Sequence, residues 1–91
     1  MNWTVDYSET AKDQLKKLDK KTAKKILDYM DERVIGSGDP RSAGKGLTGP
    51  LGGLWRYRTG DFRVICEIQD NLMQVLTLNI GDRKDIYKDK H

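Results

Sequence analysis

The sequence predicts an α+β domain in which an N-terminal helical hairpin packs on one face of a small, mostly antiparallel sheet. Apolar and polar residues alternate at the N-terminus and again in three runs of the second half, which is the pattern of half-covered strands. Apolar residues recur at helical spacing between them, and the last three runs have short links. The predicted order is β-α-α-β-β-β, and the 91 residues predict a single domain, 1–91.

The first element is a predicted strand over residues 2–7. Trp3, Val5 and Tyr7 alternate there with polar residues, so one face of the strand is apolar. Ser8 follows as a candidate helix N-cap, because its hydroxyl can accept a backbone N–H of the first turn.

Residues 9–34 are predicted to form two helices or one bent helix, with Asp19 as a second cap. Apolar residues at helical spacing on both sides of Asp19 indicate a stripe that packs against the sheet. The seven lysines of this segment alternate with acidic residues. We interpret them as a solvated outer face rather than as a nucleic-acid site.

Residues 36–53 hold seven of the nine glycines and both prolines, so they are predicted to form a loop or a series of turns. A turn at Thr59-Gly60 and another at residues 69–71 then separate the remaining strands. Three strands are predicted in this half of the chain: residues 54–58, 62–69 and 72–80.

The hairpin centred on Thr59-Gly60 gathers arginines on one face. A two-residue turn there places Arg56 opposite Arg63 and Arg58 on the same side, while apolar residues occupy the other face. A like-charge pair costs up to about 1 kcal/mol of stability. This cost favours a functional role for the arginines over an ordinary solvent-exposed sheet face. Guanidinium groups match phosphate oxygens, so the patch suits phosphate binding.

Charge and composition narrow the classes of function. Residues 1–40 are balanced, whereas residues 41–91 carry nine basic and six acidic side chains, which favours an anionic partner such as nucleic acid. Cys66, the single cysteine, is interpreted as a buried apolar residue. No apolar run suits a membrane span, and the first ten residues lack the features of a secretory signal, so a cytoplasmic protein is expected. No metal-ligand cluster or cofactor motif is visible.

The C-terminal tail adds two candidate functional residues to the arginine patch of the hairpin. Arg83 and Tyr87 lie at i, i+4 if the tail makes a helical turn. With the arginines they provide the ingredients of RNA cleavage by a 2′-hydroxyl, namely stabilisation of a phosphorane and a proton acceptor. His91 is the only histidine, so catalysis by a histidine pair is excluded.

Together, the lysine-rich helical hairpin, the "KGLTG" loop, "WRYRTGDFRVICEI" and "IGDRKDIY" resemble the RelE/ParE superfamily of toxins, specifically its RelE branch. The resemblance runs from about residue 3 to 88. It implies a metal-independent mRNA interferase, a ribosome-dependent endoribonuclease that cuts the codon in the A site and thereby inhibits translation. It also implies a cognate antitoxin, RelB-like, acidic and partly disordered, with operator DNA bound only through that antitoxin and no membrane partner.

The resemblance also assigns roles by position. Arg56 and Arg58 match the paired basic residues of the family's second strand, and Arg63 matches the arginine that contacts the scissile phosphate. Arg83 matches a proposed general acid or transition-state stabiliser, and Tyr87 a proposed general base. A further set of basic residues is expected to bind RNA: Lys45, Arg41 and Lys84.

The chain departs from the family pattern where many relatives have Gly-His-Arg. It has Gly81-Asp82-Arg83, and an acidic residue beside a phosphate is unfavourable unless it points away. Two alternatives stay open. One is a ParE-like inhibitor of DNA gyrase, and the other is a catalytically weak toxin that acts mainly as an antitoxin-binding transcriptional co-repressor.

Overall fold

Two helices lie against one face of a five-stranded sheet in a computed structural model of the protein, which describes residues 2–82. Three short 3₁₀ turns and a π-helical extension of the second helix complete the backbone. The main elements are β1 (Thr4–Tyr7), α1 (Glu9–Lys17), α2 (Lys20–Tyr29), β2 (Lys45–Gly46), β3 (Trp55–Thr59), β4 (Phe62–Gln69) and β5 (Gln74–Asp82).

The sheet has the strand order β1-β5-β4-β3-β2. β1 runs parallel to β5, and the other neighbours are antiparallel, which confirms the predicted α+β class. The predicted order lacks β2, because this strand is only two residues long and offers no alternation to detect. It pairs with β3 and forms one edge of the sheet.

The helical segment divides as the sequence suggests. The Ser8 hydroxyl accepts the N–H of Ala11 at 3.1 Å, so the predicted N-cap is confirmed, and it also donates to the carbonyl of Leu78 at 3.0 Å. α1 ends at residue 17, and Asp19 occupies the N-cap position of α2. The π-helical segment Met30–Ile35 then continues α2 with wider turns.

The core lies between the helices and the sheet. The helical segment contributes a buried stripe, and the sheet contributes the face predicted to be apolar. Cys66 belongs to this core, where burial raises the pKa of its thiol to about 12 and the sulfur donates to the Thr77 hydroxyl at 3.7 Å. The fully or almost fully buried apolar residues are Ala11, Ile26, Met30, Val34, Tyr57, Val64, Cys66, Val75 and Ile80.

The β3–β4 hairpin turns one residue later than predicted. Its two turn residues are Gly60 and Asp61, and Thr59 pairs with Phe62. Gly60 has φ 61°, the left-handed value that a type II′ turn requires at its first central residue. The predicted turn would put the β-branched Thr59 at that strained position, so glycine takes it instead.

The antiparallel ladder of β4 and β5 contains one irregularity. Ile65 pairs with Asn79, whereas Cys66 pairs with Thr77. Leu78 is therefore an extra residue in β5, as in a β-bulge.

Candidate active site

Arg58 and Arg63 are paired across the β3–β4 hairpin. The predicted partner of Arg63 was Arg56, which instead stands opposite Ile65. This correction follows from the later turn, which shifts the pairing by two positions. Because the shift is even, the alternation of faces is preserved and the three arginines remain on one side of the sheet.

Arg63 is much less exposed than a residue on an open sheet face. Only 9% of its surface is accessible, and neighbouring Ile65 on the same face is buried as well. Its Nε is buried, and within residues 2–82 no hydrogen-bond partner meets it and no carboxylate lies within ion-pair distance. A desolvated cation of this kind interacts strongly with an anion that reaches it.

The neighbouring strand keeps acidic groups away from Arg63. Gly81 stands opposite Arg63 and contributes no side chain, while Asp82 stands opposite Phe62. Since directly paired residues share a face, Asp82 lies on the side of the sheet away from the arginines. The unfavourable placement of Asp82 considered from the sequence therefore does not occur.

Lys45 joins the same face from the edge strand. It pairs with Arg56, so the two side chains leave the sheet on the same side. A cleft of about 300 Å³ opens beside them at this edge, lined also by Tyr29, Gly44 and Arg58. The structure thus brings four of the predicted basic residues together: Lys45, Arg56, Arg58 and Arg63.

Two aromatic side chains hold the backbone that leads to Lys45. The buried hydroxyl of Tyr57 donates to the carbonyl of Pro40 at 2.7 Å, and the Trp55 indole N–H donates to the carbonyl of Ala43 at 2.8 Å. Gly44 lies next, with φ 78° and almost no room for a side chain, because a Cβ there would come 2.4 Å from the Arg56 carbonyl oxygen. The glycine lets this segment approach β3 closely enough for Lys45 to pair with it.

Arg41 is placed apart from the other basic residues. Its guanidinium donates two hydrogen bonds to the carboxylate of Asp70, at 2.8 and 3.0 Å, and lies 5.9 Å from the centroid of the Trp55 ring. The pairing lowers the pKa of Asp70, because the guanidinium donates hydrogen bonds to the charged carboxylate. In this structure Arg41 anchors the loop to the turn between β4 and β5.

Three predicted site residues, Arg83, Lys84 and Tyr87, lie outside the described residues. Of the tyrosines within them, Tyr57 is buried and Tyr29 lines the cleft. Burial raises the pKa of both phenols, so neither is poised to accept a proton near neutral pH. Nothing in the sequence distinguished Tyr29 from the other apolar residues of its helix, and its place in the cleft appears only in the fold.

The residues from 2 to 82 contain no group of three or more side chains suited to hold a metal ion. Nor does this part of the chain include a helix long and apolar enough to cross a bilayer. The arrangement provides a set of positively charged side chains on a partly desolvated surface, beside a cleft that Tyr29 lines.

The chain is similar in sequence to a known protein family and to a known protein. The family model described as the ParE toxin of type II toxin-antitoxin systems matches residues 5–87. The chain is 30% identical over 88 residues to Toxin RelG of Mycobacterium tuberculosis, a match that covers 97% of this chain and 99% of the relative.

Solved structures agree with the sequence matches. A chain of the toxin-antitoxin complex RelBE2 from Mycobacterium tuberculosis superposes with a TM-score of 0.82 at 27% identity, over 93% of this chain and 95% of that one. A chain of the archaeal RelE-RelB complex from Pyrococcus horikoshii gives a TM-score of 0.66 at 26% identity, over 93% and 99%.

Fold, sequence and structural matches together define a toxin of a type II toxin-antitoxin system. The chain belongs to the RelE/ParE toxin superfamily, which confirms the resemblance found in its sequence.

Proposed function

We propose that this toxin is a ribosome-dependent endoribonuclease that cuts mRNA in the A site. The observation that carries the proposal is the Arg58–Arg63 pair, in which the buried Arg63 has no carboxylate partner within residues 2–82. Like charges directly opposite each other destabilise a purely structural sheet face, whereas two guanidinium groups side by side suit the binding of a phosphate.

In the proposed reaction the ribose 2′-hydroxyl attacks the adjacent phosphorus, and the bond to the 5′-oxygen of the next nucleotide breaks. The negative charge on the phosphorane rises in the transition state. Arg58 and Arg63 stabilise that charge, and stabilisation of this type is worth about 3 kcal/mol for each well-placed donor. Lys45 and Arg56 hold the flanking backbone.

Proton transfer is assigned to residues of the tail. By resemblance, Tyr87 takes the proton of the 2′-hydroxyl and Arg83 assists departure of the 5′-oxygen. The described tyrosines near the arginines do not replace Tyr87, because burial raises the pKa of Tyr29 and Tyr57. The reaction uses no metal ion, since its charge stabilisation comes from guanidinium groups.

The partners follow from the same assignment. The structural relatives are named as complexes of RelE-type toxins with RelB antitoxins. We propose that an acidic, RelB-like antitoxin neutralises this chain and carries it to operator DNA, and that the ribosome with its mRNA is the target.

Cleavage on programmed ribosomes tests the proposal. Purified toxin should cut mRNA at the A-site codon and should cut naked mRNA poorly. Arg63→Ala should slow single-turnover cleavage by 10²–10³-fold, the loss typical of one removed oxyanion donor. Lys17→Ala, which removes an exposed basic side chain at the end of α1, serves as the control. Full activity of the Arg63 variant would refute the assignment.

A second candidate is inhibition of DNA gyrase, because the matching family model is that of the ParE toxin. Expression in growing cells separates the two functions. A ribonuclease should stop protein synthesis first, whereas a gyrase inhibitor should induce the SOS response while translation continues.

A further inference from the structure

Tyr29 shares a cleft with cations but has no assigned role. It is the last residue of α2, and its side chain lines the cleft of about 300 Å³ together with Gly44, Lys45, Arg56 and Arg58. A volume near 300 Å³ is at the lower end of small-molecule sites. The cleft therefore has room for a small group of about the size of one nucleotide.

The Tyr29 ring packs against a second, buried tyrosine. It meets the ring of Tyr57 edge-on, with centroids 6.2 Å apart and planes at 61°. Tyr57 is itself fixed by the hydrogen bond from its hydroxyl to the Pro40 carbonyl. Gly44 also lines the cleft, where its backbone lies close against β3.

The phenol of Tyr29 stays neutral beside these cations. Burial raises its pKa, and the opposing effect of Arg33 is smaller. A neutral, fixed aromatic ring next to positive side chains is the arrangement with which proteins bind single-stranded nucleic acid, stacking a base on the ring and holding the backbone with the cations.

We propose that Tyr29 is a nucleobase-binding residue, which stacks against one base of the RNA strand whose phosphates lie on Lys45 and Arg58. The inference rests on the proposed function, since it takes RNA to be the ligand of this face. It adds a base-stacking contact at the edge of the sheet, separate from the phosphate contacts.

Binding of mononucleotides tests the stacking directly. In NMR titrations of the full chain, adenosine monophosphate should shift the ring protons of Tyr29 upfield through the ring current of the base. Ribose 5-phosphate, which lacks the base, should shift resonances of Lys45 but leave the Tyr29 ring unchanged. Equal shifts with both probes, or no Tyr29 shift with either, would overturn the proposal.

A short single-stranded RNA with 2′-O-methyl groups provides the second readout, because it binds without being cleaved. Tyr29→Leu should weaken binding about ten-fold, in line with loss of one stacked base, and Tyr29→Phe should retain it. Tyr7→Leu removes another half-buried tyrosine that packs on the core but does not line the cleft, so it controls for stability. A strand with an abasic residue at the stacked position should bind Tyr29→Leu and the natural chain equally.

These binding measurements do not depend on ribosomes. If the toxin binds RNA through Tyr29 but does not cleave A-site codons, the proposed function fails and the inference stands. If the toxin cleaves but Tyr29→Leu binds RNA as tightly as Tyr29→Phe, the inference fails and the proposed function stands.

Discussion

Arg63 faces Arg58 across the β3–β4 hairpin and is also the more buried of the two arginines. Both features are unfavourable for folding, because like charges repel and burial removes hydration from a cation. A stabilised variant would therefore be easy to obtain at this position. The chain nevertheless has two arginines here. A pair that is unfavourable for folding is consistent with a role in binding an anion.

The first prediction concerns this conflict between stability and activity. Arg63→Met removes the repulsion and the buried charge while keeping much of the side-chain volume. We expect the free energy of unfolding to rise by about 1 kcal/mol and toxicity in growing cells to be lost. Urea denaturation measures the first effect and a growth assay the second. A destabilised Arg63→Met variant would show that the arginine stabilises the fold.

The second prediction concerns Gly44. Gly44→Ala introduces a Cβ that would come 2.4 Å from the Arg56 carbonyl oxygen, at a residue with φ 78°. We expect a loss of at least about 2 kcal/mol in the free energy of unfolding. Gly38→Ala is the matched control, because Gly38 has φ 81° but open space around its Cβ position, so only the backbone cost of about 1 kcal/mol should appear. Equal losses would mean that the close approach to β3 does not matter.

The third prediction concerns the Arg41–Asp70 ion pair. Asp70→Asn should lower the melting temperature slightly at low salt and less at high salt, since both side chains are exposed. The pKa of Asp70 is lowered in the fold. Its contribution is therefore present above the unfolded pKa of about 3.9 and is lost as the pH falls through the lower folded value.

Thermal melts of the natural chain and the Asp70→Asn variant should accordingly differ at neutral pH and converge in acid. Asp61→Asn, in the exposed hairpin turn, should not show this pattern. A difference that persists in strong acid would rule out the ion pair as its source.

The fourth prediction concerns the thiol of Cys66. Because it is fully buried and its pKa is raised to about 12, it should not react with a disulfide reagent in the native state. Modification should become rapid only in denaturant, with the same midpoint as unfolding. Rapid labelling of the folded chain would contradict the burial of this residue.

The order of the elements, apart from the two-residue β2, could be predicted because each pattern is local. The alternation in β3 and β4 and the cap at Ser8 depend on neighbouring residues alone. The position of the turn was wrong by one residue, because Thr59-Gly60 and Gly60-Asp61 are both plausible turns by composition. The choice between them depends on which residue must adopt a positive φ.

The contacts made by the loop could not be predicted in the same way. The pairing of Arg41 with Asp70 joins residues 29 positions apart, and the pairing of Lys45 with Arg56 depends on a two-residue strand. Neither leaves a periodic signal. For the same reason Tyr29 looked like an ordinary helix residue until the fold placed it beside Lys45.

The extra residue in β5 decides the electrostatic character of the face of the sheet that carries Arg58 and Arg63. If Leu78 were absorbed into a regular ladder, every later side chain of the strand would exchange sides. Ile80 would leave the core, and the carboxylate of Asp82 would project toward Arg63. A single-residue irregularity in the backbone thus keeps a negative charge on the face of the sheet opposite to Arg63.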